Sequence, residues 1–300
     1  MASRTSLETP TPRSSGETGL APRSPMMCLA AALFVSCAAS SVIAADEEKD
    51  TPARRIALAV SAEARLNSER EPEARVDGDK LAESLACAAA RAAAAEIQRG
   101  TAPDESARSL LIALGITLDP SGFLRRNPFV RLRAGAIETE EEAAARRKQA
   151  PGVSLHGRRD FLQHFVVAAA LAALAGEGGA WTASLQKEVQ DAMTKDERGG
   201  SGSGFSFADL AADLGGIRFA SRLIALGQMP GENSQDLRNE LERLGKAFPA
   251  AEFVPDLSAI ARDADEGIGW KDFEARFGSA ADPRFAAKLK NLGLSTPNVR

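Results

Sequence analysis

The apolar positions of the chain fall into helical stripes separated by short polar breaks. From Leu81 to Arg99, Leu81, Leu85 and Ala88 repeat at the spacing of one helix face, and Gly100 ends the run. Ser106 to Leu114 reads as a second helix stopped by Gly115, and Asp119-Pro120-Ser121-Gly122 and Asn127-Pro128 read as turns. Glu138 to Lys148 passes from acidic to basic, the order that suits the helix dipole, and Pro151-Gly152 closes it. Arg158 to Ala175 carries the longest apolar run after residue 45, Phe165 to Ala175; it is too short to cross a bilayer and reads as a buried central helix ending at Gly176. Trp181 to Met193 continues as a further helix into the Gly199–Gly204 loop. Phe205 to Leu226 follows, with Ser206 as N-cap, Asp209 at the third helical position, and Leu210, Leu214 and Ile217 on its core face. Ser234 to Phe248 and Ser258 to Phe277 complete the series. No alternating strand pattern of useful length and no internal repeat is present, so the expected fold is all-α, a single irregular helical domain.

The two ends of the chain read differently. A polar preamble to Pro25, an apolar stretch from Met26 to Ala39 and small residues up to Ala45 have the order of a secretory signal, which predicts cleavage after Ala44. Two alternatives share the segment. Phe34-Val35-Ser36-Cys37 is close to a lipoprotein box, with Cys37 as the lipidated residue, and an uncleaved Met26–Ala45 has the length of a signal anchor. The expected organisation is a signal peptide over 1–44, a largely disordered linker over 45–79 with at most one short helix at its apolar patch Ile56–Val60, a helical domain over 80–277 and a tail over 278–300. The expected location is the periplasm or cell envelope.

Composition narrows the functional classes. The chain is 44% hydrophobic and 26% charged with a net charge of −4, and it has no basic run, so nucleic acid is excluded as a partner. Envelope proteins or a membrane surface remain as partners, with the oligomeric state open. Thirteen Phe, two Trp and no Tyr beside abundant Ala describe close-packed helices. Of the three cysteines, Cys28 and Cys37 would leave with the signal. Cys87, inside an Ala-rich helix, then reads as a small buried hydrophobe with no disulfide partner. Arg125, Arg126, Arg131 and Arg133 form a basic cluster without a Gly-rich loop and read as a solvated face. Asp263 to Ile268 with Glu274 has the wrong register for a calcium loop and reads as an acidic turn.

One polar constellation carries candidate chemistry. His156, Asp160 and His164 are spaced four apart, although Gly157 threatens to leave His156 on a preceding loop, so Asp160 and His164 are the firmer pair. Glu188 and Asp191 share one helix face, and Asp209 and Asp213 share another. If three helices pack around Phe165–Ala175, then Asp160, His164, Glu188, Asp191, Asp209 and Asp213 converge. One imidazole with several carboxylates suits a divalent metal such as Mn²⁺, Fe²⁺ or Zn²⁺, held by His164, Glu188, Asp191, Asp209 and Asp213, or a His general base. There is no HExxH, paired CxxC or Gly-x-Ser-x-Gly.

Leu111 to Ile116 with Leu118-Asp119, His156-Gly157-Arg158-Arg159-Asp160 to His164-Phe165, Lys187-Glu188 with Asp191, and Gly204 to Asp213 together resemble a family of uncharacterised exported bacterial proteins over roughly Leu81 to Phe277. The Lys-Glu-x-x-Asp helix between a His helix and an Asp helix is also distantly similar to small envelope lipoproteins. The resemblance implies that His164, Glu188, Asp191, Asp209 and Asp213 form one group, and it supplies no reaction. Thr182 and Gln186 lengthen the approach to Lys187-Glu188 and leave the register of that helix open.

Two readings follow. In the first, the chain is an exported, non-catalytic helical protein whose His/carboxylate network fixes three helices together, in a structural or interaction role. In the alternative it is a metal-assisted hydrolase that uses His164 and nearby carboxylates, with the Gly199–Gly204 loop as a lid. A closed interior site favours the first, and an open coordination position beside a cleft favours the second.

Overall fold

The computed structural model describes residues 50–127, 130–229, 234–248, 252, 266–279 and 281–294, which fall in one unit spanning 43–300. Among them are eleven helices: α1 (Pro52–Glu69), α2 (Gly78–Gln98), α3 (Pro103–Leu118), α4 (Phe123–Arg126), α5 (Arg131–Ile137), α6 (Glu140–Gln149), α7 (Arg159–Glu197), α8 (Phe207–Gln228), α9 (Ser234–Leu244), α10 (Trp270–Phe277) and α11 (Pro283–Asn291). The fold is therefore predominantly helical. This agrees with the helical fold expected from the periodicity, to which is added one short pairing, β1 (Phe205–Ser206) antiparallel with β2 (Glu266–Ile268). β1 takes the first two positions of the predicted Phe205–Leu226 helix, and β2 falls in the middle of the predicted Ser258–Phe277 helix. The predicted helix over Ser258–Phe277 is realised only as α10, and 258–265 lie outside the described residues, as do the signal segment 1–44 with Cys28 and Cys37, and Asp263 of the acidic turn.

The centre of the molecule is α7 against α8, with α3 packed on both and α1 and α2 beyond it. Alanine sets the spacing. Ala168, Ala169, Ala170, Ala172 and Ala173 of α7 are buried, as are Ala208, Ala211, Ala212 and Ala220 of α8. Such small side chains let the helix axes approach closely, and glycine takes this further. A Cβ at Gly216 would overlap the carbonyl oxygen of Phe165, so at this crossing α8 lies against the bare backbone of α7. Gly115 does the same for α3, where a Cβ would run into Ala170. It does not stop the helix, as the sequence suggests, but sits inside α3 at a helix contact.

The largest departure from the sequence reading lies at 52–69, where an exposed linker is expected and an 18-residue helix is found. Ile56, Ala57, Val60 and Ala64 of α1 are buried against α2 and α3. The Thr51 hydroxyl accepts from the Arg54 N–H, and Pro52 opens the helix. The charged residues of α1 are engaged: Arg54 grips Glu142 with both terminal nitrogens, and Arg55 grips the fully buried Glu96. At the other end, residues expected to form a tail make α11, whose Phe285 and Leu289 are buried in an aromatic cluster with Phe205, Phe207, Phe273 and Phe277.

The basic cluster is corrected as well. Arg125 does not lie on a solvated face: it is buried, and with Arg146 it clamps the buried Glu138, which accepts from both guanidinium groups. This Arg–Glu–Arg group ties α4 to α6. Removing one partner of a buried ion group leaves the others uncompensated, so Glu138→Ala is expected to destabilise the fold by about 3–5 kcal/mol in chemical denaturation. Gly216→Ala is expected to cost about 1–3 kcal/mol by forcing α7 and α8 apart. Gly135→Ala, where a Cβ meets nothing within 4 Å, should be neutral or slightly stabilising, which separates crowding from helix propensity.

Candidate metal centre

A single residue brings the ends of α7 together. Along a continuous helix, the stretch from His164 to Glu188 would span about 36 Å. At Gly176 the backbone leaves helical geometry with φ 76° and ψ 172°, and the side-chain donor atoms of His164 and Glu188 come within 4.8 Å of each other. The chain therefore folds back at Gly176, and α7 is a helical hairpin with one arm on each side of it. The two residues stand equally far from the turn, which puts them level across the hairpin. A positive φ of this size is open to glycine and strained for other residues. α7 is the one helix among the described residues with the length and apolarity to cross a membrane; folded at Gly176 and largely buried, it serves here as core.

The third wall of the site is the first two turns of α8. Ser206 caps this helix, its hydroxyl accepting from the Asp209 N–H, as the sequence predicts. The Ser206 N–H in turn donates to Glu188 Oε2 at 2.9 Å, so Glu188 of the second arm of α7 holds the start of α8 in place. One turn apart on α8, Asp209 and Asp213 both face His164. Asp213 Oδ1 lies 3.1 Å from His164 Nδ1, and Asp209 Oδ2 lies 3.6 Å from Nε2. The imidazole is thus bracketed by two carboxylates, with Glu188 as a third. Relative exposure is 0% for Glu188, 3% for Asp213, 6% for His164 and 7% for Asp209, so the group is closed to solvent.

The six residues nominated from the sequence divide. His164, Glu188 and Asp213 meet closely enough to hold one ion, and Asp209 adjoins them. Asp160 does not converge: it lies at the exposed start of α7, gripped by Arg158, whose guanidinium also reaches Asp209 at 3.4 Å and stacks on Phe161. Nor does Asp191, which is half-buried at the rim and accepts from Lys187 Nζ at 2.8 Å and from the Ser203 hydroxyl at 2.9 Å. His156 sits on the loop before α7, away from the cluster, as Gly157 forewarns. Two cations were not foreseen as members, Arg158 and Lys187. Their signal was their placement next to Asp160 and Glu188, and it is indistinct because charged pairs of this kind are usual on helix surfaces.

The electrostatics follow from burial. Burial disfavours the charged imidazole of His164, but the charge and hydrogen bond of Asp213 and the charge of Asp209 outweigh it and carry the pKa up to about 9. Burial pushes Glu188 up to about 8 against the pull of Lys187 and His164, and it raises Asp209 above the ordinary carboxylate range. Lys187 is raised because Glu188 and Asp191 overcome its own burial. One oxygen, Asp213 Oδ2, is buried and receives no hydrogen bond. With every group ionised, the five carboxylates Asp160, Glu188, Asp191, Asp209 and Asp213 face three cations, Arg158, His164 and Lys187, among the described residues. The carboxylates exceed the cations by two.

No family model, curated protein or solved structure matches the chain, so the site is read from its own geometry.

Without a cation, His164 and Glu188 both hold their protons more tightly in the folded chain than in the unfolded one. Their stabilising contribution is whole below the ordinary pKa of each and declines as pH rises through about 8 for Glu188 and about 9 for His164. Chelator-treated protein is therefore expected to lose stability steadily on going from neutral pH to about 9 in urea titrations. Glu188→Gln keeps an acceptor for Ser206 and should flatten the part of that slope below about 8.

Proposed function

We propose that the protein is an exported, non-catalytic helical protein of the cell envelope, whose hairpin core is locked by a divalent cation bound to His164, Glu188 and Asp213. The observation that carries this reading is the buried Asp213 Oδ2, a carboxylate oxygen without a donor, in a group whose three donor atoms lie within 4.8 Å of one another. A buried carboxylate left without a partner is costly, and a metal ion is the partner that an oxygen, a nitrogen and a further oxygen on three walls can share. One imidazole among carboxylates suits Mn²⁺, Fe²⁺ or Zn²⁺ better than the all-oxygen shells that Mg²⁺ and Ca²⁺ favour. When bound, the ion supplies positive charge where the carboxylates outnumber the cations. His164 would then coordinate as neutral imidazole and Glu188 as carboxylate, with Asp209 close enough to accept from the imidazole or to join the shell.

The closure of the site separates this reading from a hydrolase. A catalytic ion needs a coordination position open to substrate, whereas structural ions are enclosed by protein donors. All three donor side chains here are inside the helical core, and none of them lines the apolar cavity beside α2 and α3. Export is supported by the residue order over 1–44, with Cys37 lipidation and a retained anchor as the other forms of envelope attachment.

Elemental mass spectrometry on the purified chain is expected to find close to one equivalent of a transition metal. His164→Ala should lose it, and chelator should lower the melting temperature of the parent chain but not of the variant. A metal-free parent with a chelator-insensitive melt would overturn the cation and leave His164 as a hydrogen-bonded structural residue. A stoichiometric metal that also turns over ester or phosphoester substrates would restore the hydrolase.

A further inference from the structure

A second site lies on the other side of the first arm of α7. A cavity of about 140 Å³ opens between α2, α3 and α7, and its walls are Leu114, Leu118, Leu162, Phe165, Val166 and Phe248. Protein interiors retain few voids larger than a water molecule, and apolar ones stay dry. An engineered apolar cavity of about 150 Å³ accepts benzene, so this space matches an apolar group of branched-alkyl to phenyl size. Among the described residues this space is unfilled and open at one end, and its apolar walls suit an apolar group.

The mouth defines the rest of the occupant. Lys80 and Glu83, one turn apart on α2, stand at the rim with His156. All three are exposed, and none of their side chains makes a hydrogen bond or ion pair among the described residues. The other rim carboxylate is already committed, since Asp79 accepts from the Ser154 hydroxyl at 2.6 Å and from the Gly157 N–H at 2.9 Å. Those bonds pin the 154–157 loop to α2 and hold His156 at φ 51°, the one non-glycine residue with positive φ among the described residues. A left-handed backbone at a side chain of this size is uncommon and persists where its surroundings enforce it, often next to a ligand.

We propose that this cavity binds a free apolar amino acid of leucine to phenylalanine size. The side chain fills the space against Phe165 and Leu114, the carboxylate faces Lys80 and His156, and the ammonium group faces Glu83. This zwitterion meets both uncommitted charges at the mouth, Lys80 and Glu83, with the correct sign, which a simple carboxylate or amine does not. The inference is independent of the metal centre, none of whose donors lines the cavity.

The test is a titration of the full-length chain with L-leucine and L-phenylalanine, read by the methyl NMR signals of Leu114, Leu162 and Val166. Saturable shifts are expected for both at millimolar concentration, and none for glycine, which lacks the side chain. 4-Methylpentanoate and isopentylamine each lack one head charge and should bind several-fold more weakly than leucine, by up to about fivefold for one partly exposed ion pair. Lys80→Ala, at an exposed position, should weaken leucine to the level of isopentylamine, and Ala86→Leu, which fills the cavity, should abolish the shifts. Absence of saturable shifts with either amino acid overturns the proposal. So does equal binding of glycine and leucine, of 4-methylpentanoate and leucine, or of leucine to the parent chain and to Lys80→Ala.

Discussion

The packing of α7 on itself and on α8 is arranged around one imidazole that faces carboxylates on two sides. His164 has Asp213 at one ring nitrogen and Asp209 near the other, with Glu188 opposite on the returning arm of the same helix. For these groups to meet, α7 must reverse at Gly176, and α8 must lie against the α7 backbone with no Cβ at Gly216 to hold it away. The Glu188 carboxylate also receives the N–H of the residue that caps α8. The turn, the close crossing and the cap therefore serve the same small volume.

Two buried ion groups in the same fold make an instructive contrast. Around Glu138, Arg125 and Arg146 satisfy both carboxylate oxygens from two directions, and the result ties neighbouring helices with no carboxylate oxygen left over. Around His164 the carboxylates exceed the cations, and Asp213 Oδ2 has no donor. Burial in a low-dielectric interior makes such an imbalance expensive, and a metal-free chain meets it by holding extra protons, which is why Glu188 and His164 both titrate above their ordinary ranges. A bound divalent ion removes the need for those protons. The first group satisfies its carboxylate and leaves only a guanidinium nitrogen, Arg125 Nε, without an acceptor, whereas the second leaves a carboxylate oxygen that a cation can meet.

The helices were legible where apolar spacing and breakers agree. The 158–175 arm, its end at Gly176 and the Ser206 cap of α8 could each be read from local residues. The grouping of His164, Glu188 and Asp213 was legible too, because spacings of three and four put pairs on common faces and the apolar arm had to be central. What failed were features set by long-range partners. α1 is so rich in Arg and Glu that its stripe of Ile56, Val60 and Ala64 looked like a linker, and only the acceptors Glu96 and Glu142, far along the chain, show those arginines to be part of the fold. Arg125 looked solvated for the same reason. Asp160 was nominated on spacing, and Asp191 on spacing and the resemblance; Arg158 and Lys187, beside them, hold them at the rim.

The central claim is that one imidazole nitrogen and carboxylate oxygens from both arms of α7 and from α8 share a cation. X-ray absorption at the metal edge of the loaded full-length chain tests it most directly. The account predicts a first shell of light donors with the scattering signature of one imidazole and no sulfur. A shell without imidazole, or one containing sulfur, would place the metal elsewhere and contradict it.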